Sequence, residues 1–140
     1  MLNLPALFIQ HQPRVEAALR EALTLPSTKD LALYQMMRYQ LGWENSDGSE
    51  ATAASPFREF GTICMEAGFL GANPERAEMA AASIELFVQA ISVHEDMEHA
   101  NPHSEERPSV WWIWGPAQAI NVGDGLHALA RLAVLELENY

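Results

Sequence analysis

Apolar residues recur every three or four positions along most of the chain, and turn-forming residues separate the segments that have this spacing. The period is typical of helices that bury one face, and no alternation typical of strands appears. The sequence therefore predicts an all-α fold, a bundle of about five or six helices in a single domain over residues 1–140. Capping residues and prolines place the expected helix starts. These starts are Pro13, Ser27, Ser55-Pro56, Asn73-Pro74 and Pro116.

The longest predicted helix runs from Pro74 to about Ala100, and we expect it to form the centre of the fold. Residues three or four positions apart share one face of a helix. On this helix, one such face carries Ile84, Val88, Ile91 and Glu95. We therefore expect a buried apolar stripe that delivers carboxylates to a cavity or to a helix interface.

The segments around this helix carry weaker signals. Residues 43–54 form one long polar connection, which would be either a mobile loop or a binding loop. Tryptophans occupy positions 111, 112 and 114, and we expect them to pack beneath the long helices because large aromatic side chains usually bury most of their area. The last helix, from Pro116 to about Glu138, has small residues at helical spacing, so a neighbouring helix can approach it closely.

The net charge of the chain argues against negatively charged partners. The chain has 19 acidic and 8 basic residues, which gives a formal net charge of −11. This charge repels nucleic acids and anionic membrane surfaces, so we expect neither as a partner. No apolar run approaches the roughly 18 residues of a membrane span, and the single cysteine, Cys64, excludes an internal disulfide. We therefore expect a soluble cytoplasmic protein in which Cys64 is a core thiol.

The densest polar cluster is His94-Glu95-Asp96-Met97-Glu98-His99, at the end of the central helix. Positions 95 and 99 share a helix face, so their side chains could hold a cation between them. Acid–base chemistry and a solvated helix end explain the same residues, and the cluster alone leaves these three interpretations open. A further hypothesis is a Zn²⁺ or Mn²⁺ site that adds His94 or His103 to Glu95, Asp96 and His99.

A wider pattern surrounds the cluster. It consists of SIELFVQAISVHEDMEH at 83–99, ERPSVW at 106–111 and WGPAQAINVGDGLHALA at 114–130. This pattern resembles the N-terminal half of the trans-isoprenyl diphosphate synthases, the polyprenyl synthetase family. In that family an I-E-L helix ends in His-Asp-Asp-x-x-Asp, an Arg-Arg-Gly-Arg/Lys-Pro-Thr loop follows, and an A-I-N-x-G-D helix comes next. MMRYQLGW at 36–43 is similar to the segment before the family's first diphosphate-binding loop. The resemblance implies the isoprenoid synthase fold.

The resemblance also implies site residues. It places Glu95 and His99 where the first and last aspartates of the motif hold Mg²⁺, with Asp96 retained between them. Histidine is a poor ligand for Mg²⁺, because this hard ion prefers oxygen. Diphosphate binding would fall to Arg58, near the family's Gly-Lys-x-x-Arg-Pro loop, and to Arg107.

Other positions reverse the charge that a diphosphate requires. Ser104-Glu105-Glu106 stand where the family has Arg-Arg-Gly. Two like charges about 4 Å apart cost on the order of 1 to 4 kcal/mol in wet surroundings, so a diphosphate would be repelled here. The family's second aspartate-rich motif and its later lysine-bearing segments would lie beyond Tyr140.

Positive charge stabilises a departing diphosphate, and this sequence lacks much of the positive charge that the family has at the site. We therefore expect a truncated, non-catalytic relative that acts as an oligomeric or regulatory subunit in isoprenoid biosynthesis. Half of a helical bundle leaves apolar faces uncovered, so the expected partner is a second copy, a complementary chain or a full-length prenyl synthase. Two alternatives stay open: one half of an active split prenyltransferase that uses Mg²⁺, and a carrier of apolar prenyl ligands. Glu85 is expected to be a structural hydrogen-bond partner, and Asp124 to cap or orient the central helix.

Overall fold

The structure, a computed structural model, describes residues 4–24, 31–71 and 73–137. Within these ranges the chain is helical except for its loops and one short hairpin, which confirms the predicted all-α class. The helices are α1 (Leu4–Leu23), α2 (Ala32–Gln40), α3 (Glu59–Leu70), α4 (Pro74–Glu98), α5 (Val110–Trp114) and α6 (Pro116–Glu136). The antiparallel hairpin pairs β1 (His103–Ser104) with β2 (Arg107–Pro108).

The chain forms two compact units. The first unit contains α1, α3, the part of α4 up to Leu86 and the part of α6 from Ala128 onward. The second unit contains α2, the part of α4 from Phe87 onward, the hairpin, α5 and the part of α6 up to His127. The single domain over residues 1–140 stays a prediction. In the described ranges, no helix combines the length and the apolar character that crossing a bilayer requires.

Two predicted helix starts are wrong. Pro13 does not open a helix but lies inside α1, which begins at Leu4. A proline in a helix interior costs about 3 kcal/mol, and the packing of α1 on α3 offsets this cost because Val15 and Leu19 are fully buried. Ser55 and Pro56 precede α3, which begins at Glu59. Pro56 packs instead beside Gly42, where a Cβ atom would lie 2.7 Å from Pro56 Cδ.

The second predicted helix is partly confirmed. Its body is α2, with Leu31 as the N-cap and without a side-chain hydrogen bond at that position. Ser27, the predicted N-cap, lies outside the described residues. Gly42 follows the helix with a φ of 79°, a conformation that glycine adopts without steric cost. The predicted stop at Gly42 therefore agrees with the end of α2 at Gln40.

The central helix forms as predicted and ends with a defined motif. α4 stops at Glu98, and Ala100 takes the left-handed conformation with a φ of 54°. The backbone amide of Asn101 donates to the carbonyl of Asp96 at 2.8 Å, and the amide of Ala100 donates to the carbonyl of Met97 at 3.2 Å. These two bonds are those of a Schellman cap, which satisfies carbonyls that the helix leaves open. The cap fixes the direction in which the chain enters the hairpin.

The predicted buried stripe on α4 is wrong. Ile84 is 40% exposed and Ile91 is 43% exposed. The buried face carries mostly smaller side chains at Ala77, Ala81, Ala82, Leu86, Ala90 and Val93. Both faces of α4 are apolar, so the helical period alone does not distinguish the face that packs from the face that stays open.

The aromatic segment also differs from its prediction. It forms the short helix α5, in which Trp112 is 60% exposed, while Trp111 and Trp114 are half-buried. The ring of Trp114 meets Tyr39 edge-on at 5.0 Å, and the indole N–H of Trp111 donates to the carbonyl of Asn101 at 2.6 Å. Only part of the segment therefore packs, because Trp111 and Trp114 have partners for their polar or aromatic groups while Trp112 faces outward.

Candidate functional site

The acidic end of α4 lies at the protein surface. Glu95, Glu98 and His99 are exposed, and Asp96 is half-buried. The His99 ring nitrogen Nδ1 lies 3.0 Å from the carbonyl oxygen of Glu95, one turn earlier. The Asn101 side-chain amide donates to Asp96 Oδ1 at 3.5 Å. These groups therefore interact mainly with the end of their own helix.

A metal ion does not fit this arrangement by itself. Across the three described ranges, no group of three or more His, Cys, Asp and Glu side chains converges closely enough to hold a metal ion. The Mg²⁺ or transition-metal role of Glu95, Asp96 and His99 stays a prediction, and so does the addition of His94 or His103.

His94 points toward α6 instead of toward its acidic neighbours. Its Nε2 atom lies 3.4 Å from the carbonyl oxygen of Ile120 and 3.8 Å from Asp124 Oδ1. A Cβ atom at Gly123 would collide with this ring, so glycine is what lets the imidazole approach the α6 backbone. The Asp124 side chain is 72% exposed. Asp124 therefore approaches the central helix only at His94, and its role in capping or orienting that helix stays a prediction.

Arg58 lies in the interior of the first unit. Its side chain is fully buried, and its Nε atom donates to Glu16 Oε1 at 2.5 Å. The backbone N–H of Arg58 also contacts α1, because it donates to Gln12 Oε1 at 3.3 Å. Arg58 is thus a partner of α1 in this geometry, and its diphosphate role stays a prediction.

The carboxyl group of Glu85 lies near the pair of Arg58 and Glu16. Glu85 is 2% exposed, and its Oε1 atom accepts the backbone N–H of Gly61 at 2.7 Å. Burial raises the pKa of Glu85, and the Gly61 amide and the Arg58 guanidinium partly offset that rise. A Cβ atom at Gly61 would lie 2.8 Å from Glu85 Cγ and 2.7 Å from Val15 Cγ1, so the close approach requires glycine. Glu85 is a structural hydrogen-bond partner, as expected.

Arg107 joins the hairpin to the residues that follow α2. Its two terminal nitrogens donate to the carbonyl of Tyr39 at 2.9 Å and to the carbonyl of Glu44 at 2.8 Å. Its guanidinium carbon lies 4.0 Å from the centre of the Tyr39 ring. The Tyr39 hydroxyl donates to the carbonyl of Pro108 at 2.6 Å, which adds a second link. Burial raises the pKa of Tyr39, and Arg107 partly offsets that rise.

The hairpin turn carries Glu105 and Glu106, and Glu105 has a left-handed φ of 56°. A small cleft of the second unit lies beside this turn. Tyr39, Gln40, Gln89, Ser92, Ser104 and Arg107 are among the side chains that line it. Gln40 Nε2 donates to Gln89 Oε1 at 2.8 Å, so two of these groups satisfy each other.

Cys64, predicted to be a core thiol, is half-buried, and burial raises its pKa.

Sequence reasoning did not identify the partners of the two arginines. Glu16 precedes Arg58 by 42 residues, and Tyr39 precedes Arg107 by 68. Neither separation falls within one helix, so no helical period could connect them.

Solved structures share this helical fold. The polyprenyl synthetase of Streptomyces coelicolor A3(2) matches with a TM-score of 0.81 and 28% identity, over 97% of this chain and 40% of that chain. An FPP/GFPP synthase of Zymomonas mobilis matches with a TM-score of 0.75 over 99% of this chain and 47% of that chain, and at 20% identity it shows the fold alone. No protein-family model matches the chain. The fold is therefore that of the helical polyprenyl synthetases.

Two curated synthases are similar to this chain in sequence. The (2E,6E)-farnesyl diphosphate synthase of Mycobacterium tuberculosis is 30% identical over 142 residues, which cover 98% of this chain and 37% of the relative. The geranylgeranyl diphosphate synthase of the same organism is 33% identical over 99 residues, which cover 70% of this chain and 28% of the relative. The chain is thus a trans-isoprenyl diphosphate synthase-like protein, and it spans little more than a third of the length of the farnesyl diphosphate synthase.

Proposed function

We propose that this chain is an interface-forming subunit in isoprenoid biosynthesis and that it does not catalyse prenyl transfer by itself. The observation that carries the proposal is the position of its two candidate diphosphate ligands. The guanidinium of Arg58 is buried against Glu16, and the guanidinium of Arg107 donates to two backbone carbonyls. A diphosphate would have to break these contacts before either arginine could bind it.

The charge around the hairpin supports the same proposal. Glu105 and Glu106 occupy its turn, and Glu95 and Glu98 are exposed at the end of α4. Stabilisation of a leaving diphosphate depends on positive groups that are already in place. An acidic surface at this position works against that stabilisation.

The test of this proposal measures prenyl transfer and mass together. The full chain is incubated with Mg²⁺, geranyl diphosphate and isopentenyl diphosphate, and products are followed with radiolabelled substrate. Light scattering records the mass in solution with and without Mg²⁺ and geranyl diphosphate. We expect no product and an oligomeric mass that neither ligand changes. Product formation by the chain alone would contradict the proposal.

A second candidate function is one half of a split prenyltransferase, and the exposure of Glu95 favours it. This carboxylate follows the exposed Ile91 by one helical turn, so a second chain that covers Ile91 would also reach Glu95. The test co-expresses this chain with the part of the M. tuberculosis farnesyl diphosphate synthase that it does not match. Transfer that requires both polypeptides and is lost in Glu95→Gln would support this candidate, and absence of transfer would reject it.

A further inference from the structure

The second unit exposes apolar side chains from two packed helices. Phe87 and Ile91 of α4 are 45% and 43% exposed, and Ile120 of α6 is 45% exposed. The rings of Phe87 and His127 meet at 5.3 Å, and the pair of His94 and Asp124 lies nearby on the same two helices. The exposed rows of α4 and α6 therefore lie side by side. We name this surface the α4–α6 face, which consists of Phe87, Ile91, Glu95, Ile120, Asp124 and His127.

The charged residues of this face are acidic. Glu95 lies one turn beyond Ile91, and Asp124 lies one turn beyond Ile120. In the sequence ranges 31–56 and 87–127, the only Lys or Arg residues are Arg38 and Arg107. Arg38 pairs with Glu44, and Arg107 binds the carbonyls of Tyr39 and Glu44. Acidic residues in the same ranges are Glu44, Asp47, Glu50, Glu95, Asp96, Glu98, Glu105, Glu106 and Asp124.

We propose that the α4–α6 face binds an amphipathic helix of a different polypeptide, in which lysine or arginine residues flank an apolar stripe. Helices of this kind place apolar side chains three or four positions apart into a groove, as Phe87, Ile91 and Ile120 require. Complementary charge at the edge of an interface increases the association rate and selects the partner. The inference rests on the proposed interface function and names the partner of that interface.

A second copy of this chain fits the face less well. In a two-fold symmetric dimer the same patch meets itself, so Glu95 and Asp124 would approach the acidic residues of the other copy. A basic helix from another chain avoids this cost, and an oligomer of the chain itself would use a different surface.

The test uses two synthetic helical peptides that differ only in charge. Both carry leucines at helical spacing, and the flanking positions are lysine in one peptide and glutamate in the other. Fluorescence anisotropy measures their binding to the full chain. We expect the lysine peptide to bind at least about tenfold more tightly than the glutamate peptide. Raising NaCl from about 0.05 M to about 0.5 M should weaken the lysine peptide, because salt screens exposed charges.

Matched variants locate the binding site. Glu95→Gln with Asp124→Asn should weaken the lysine peptide by about fivefold or more, whereas Glu105→Gln with Glu106→Gln removes the same charge from the hairpin and should leave affinity unchanged. Ile91→Ser should weaken both peptides, and Leu31→Ser, at another exposed apolar site of the second unit, should not. Glu95→Lys with Asp124→Lys should reverse the preference toward the glutamate peptide. Circular dichroism confirms that each variant is folded.

Three results would overturn the inference. The first is equal affinity for the two peptides, and the second is an equal loss of affinity in the hairpin control. The third is self-association of the unmodified chain that Ile91→Ser abolishes in sedimentation equilibrium, because a second copy would then occupy the face. None of these results depends on prenyl transfer. Activity of the chain alone would instead reject the proposed function, whatever the peptides do.

Discussion

The two arginines that the family resemblance connects with diphosphate lie in different surroundings. Arg58 is fully buried and pairs with a carboxylate, whereas Arg107 is half-buried and donates to two backbone carbonyls. Loss of Arg58 would leave the charge of Glu16 in the interior. Loss of Arg107 would leave neutral carbonyls at a surface that water reaches. The same residue type therefore contributes to stability by two mechanisms, and the partner decides how much its removal costs.

Removal of Arg58 should give the largest effect. We expect Arg58→Met to lower the free energy of unfolding by about 3 to 5 kcal/mol, because breaking a buried pair leaves an uncompensated charge. Denaturant unfolding followed by circular dichroism measures this change. The double variant Arg58→Met with Glu16→Gln is the control, and it should lose less than the single variant. An equal loss in both variants would mean that burial of the charge is not the cause.

Removal of Arg107 should cost less. We expect Arg107→Ala to lower the free energy of unfolding by about 1.5 to 3 kcal/mol, the range for hydrogen bonds to a charged group. The same change should raise the pKa of Tyr39 further, since Arg107 lowers that pKa against the effect of burial. Ultraviolet absorbance titration measures the tyrosine, and Tyr39→Phe identifies its transition.

Arg38→Ala provides the matched control for Arg107. It removes the other arginine that contacts Glu44 but leaves the Tyr39 ring and the hairpin contacts in place. An unchanged Tyr39 titration is expected for this variant. A shift as large as that of Arg107→Ala would contradict a specific role for Arg107.

Relief of strain near Arg107 should give a gain of about 1 kcal/mol. Glu105 has a φ of 56°, and the left-handed conformation costs roughly 1 to 2 kcal/mol in residues other than glycine. We expect Glu105→Gly to raise the free energy of unfolding, and Ala100→Gly, at a φ of 54°, to do the same at the end of α4. Glu106→Gly, at a position without positive φ, should give no such gain. A loss of stability in Glu105→Gly would show that its side chain matters more than its backbone.

The smallest effect is expected at Glu85, and it should depend on pH. The pKa of Glu85 is raised above 4.5 in the folded protein, so its contribution to stability is complete below about pH 4.5 and is lost as pH rises through the folded pKa. Glu85→Gln keeps an oxygen for the Gly61 N–H and removes this titration. We expect the variant to be slightly more stable than the unmodified protein near neutral pH, and this difference to disappear as the pH falls toward 4.5. Parallel stability curves between pH 4 and pH 8 would contradict the assignment.

The sequence predicted the class of fold and the long helix correctly for a physical reason. Helical spacing, a proline at Pro74 and small residues along α6 are local signals, and local signals suffice to define helices. The same signals failed at Pro13, because packing on α3 offsets a local penalty. They also failed on α4, because apolar residues on both faces leave the buried side to be decided by other elements.

The candidate site was harder to predict than the fold. The cluster from His94 to His99 was found as the densest polar stretch of the sequence, and Arg107 was found by resemblance. Both signals fix position along the chain but not contacts. The carboxylate beside Arg58 and the carbonyls beside Arg107 come from distant segments, so only the folded chain reveals them. The two signals identified the residues, and packing decided which of them are free to meet a ligand.

The distribution of tryptophan has a consequence for spectroscopy. All four tryptophans, at positions 43, 111, 112 and 114, belong to the second unit. Their emission therefore reports melting of that unit, while the helical ellipticity sums over both. Superimposable fluorescence and ellipticity transitions would identify one cooperative folding unit, and separated transitions would identify two. Quenching by acrylamide would further resolve Trp112, 60% exposed, from Trp43, 6% exposed, without any label.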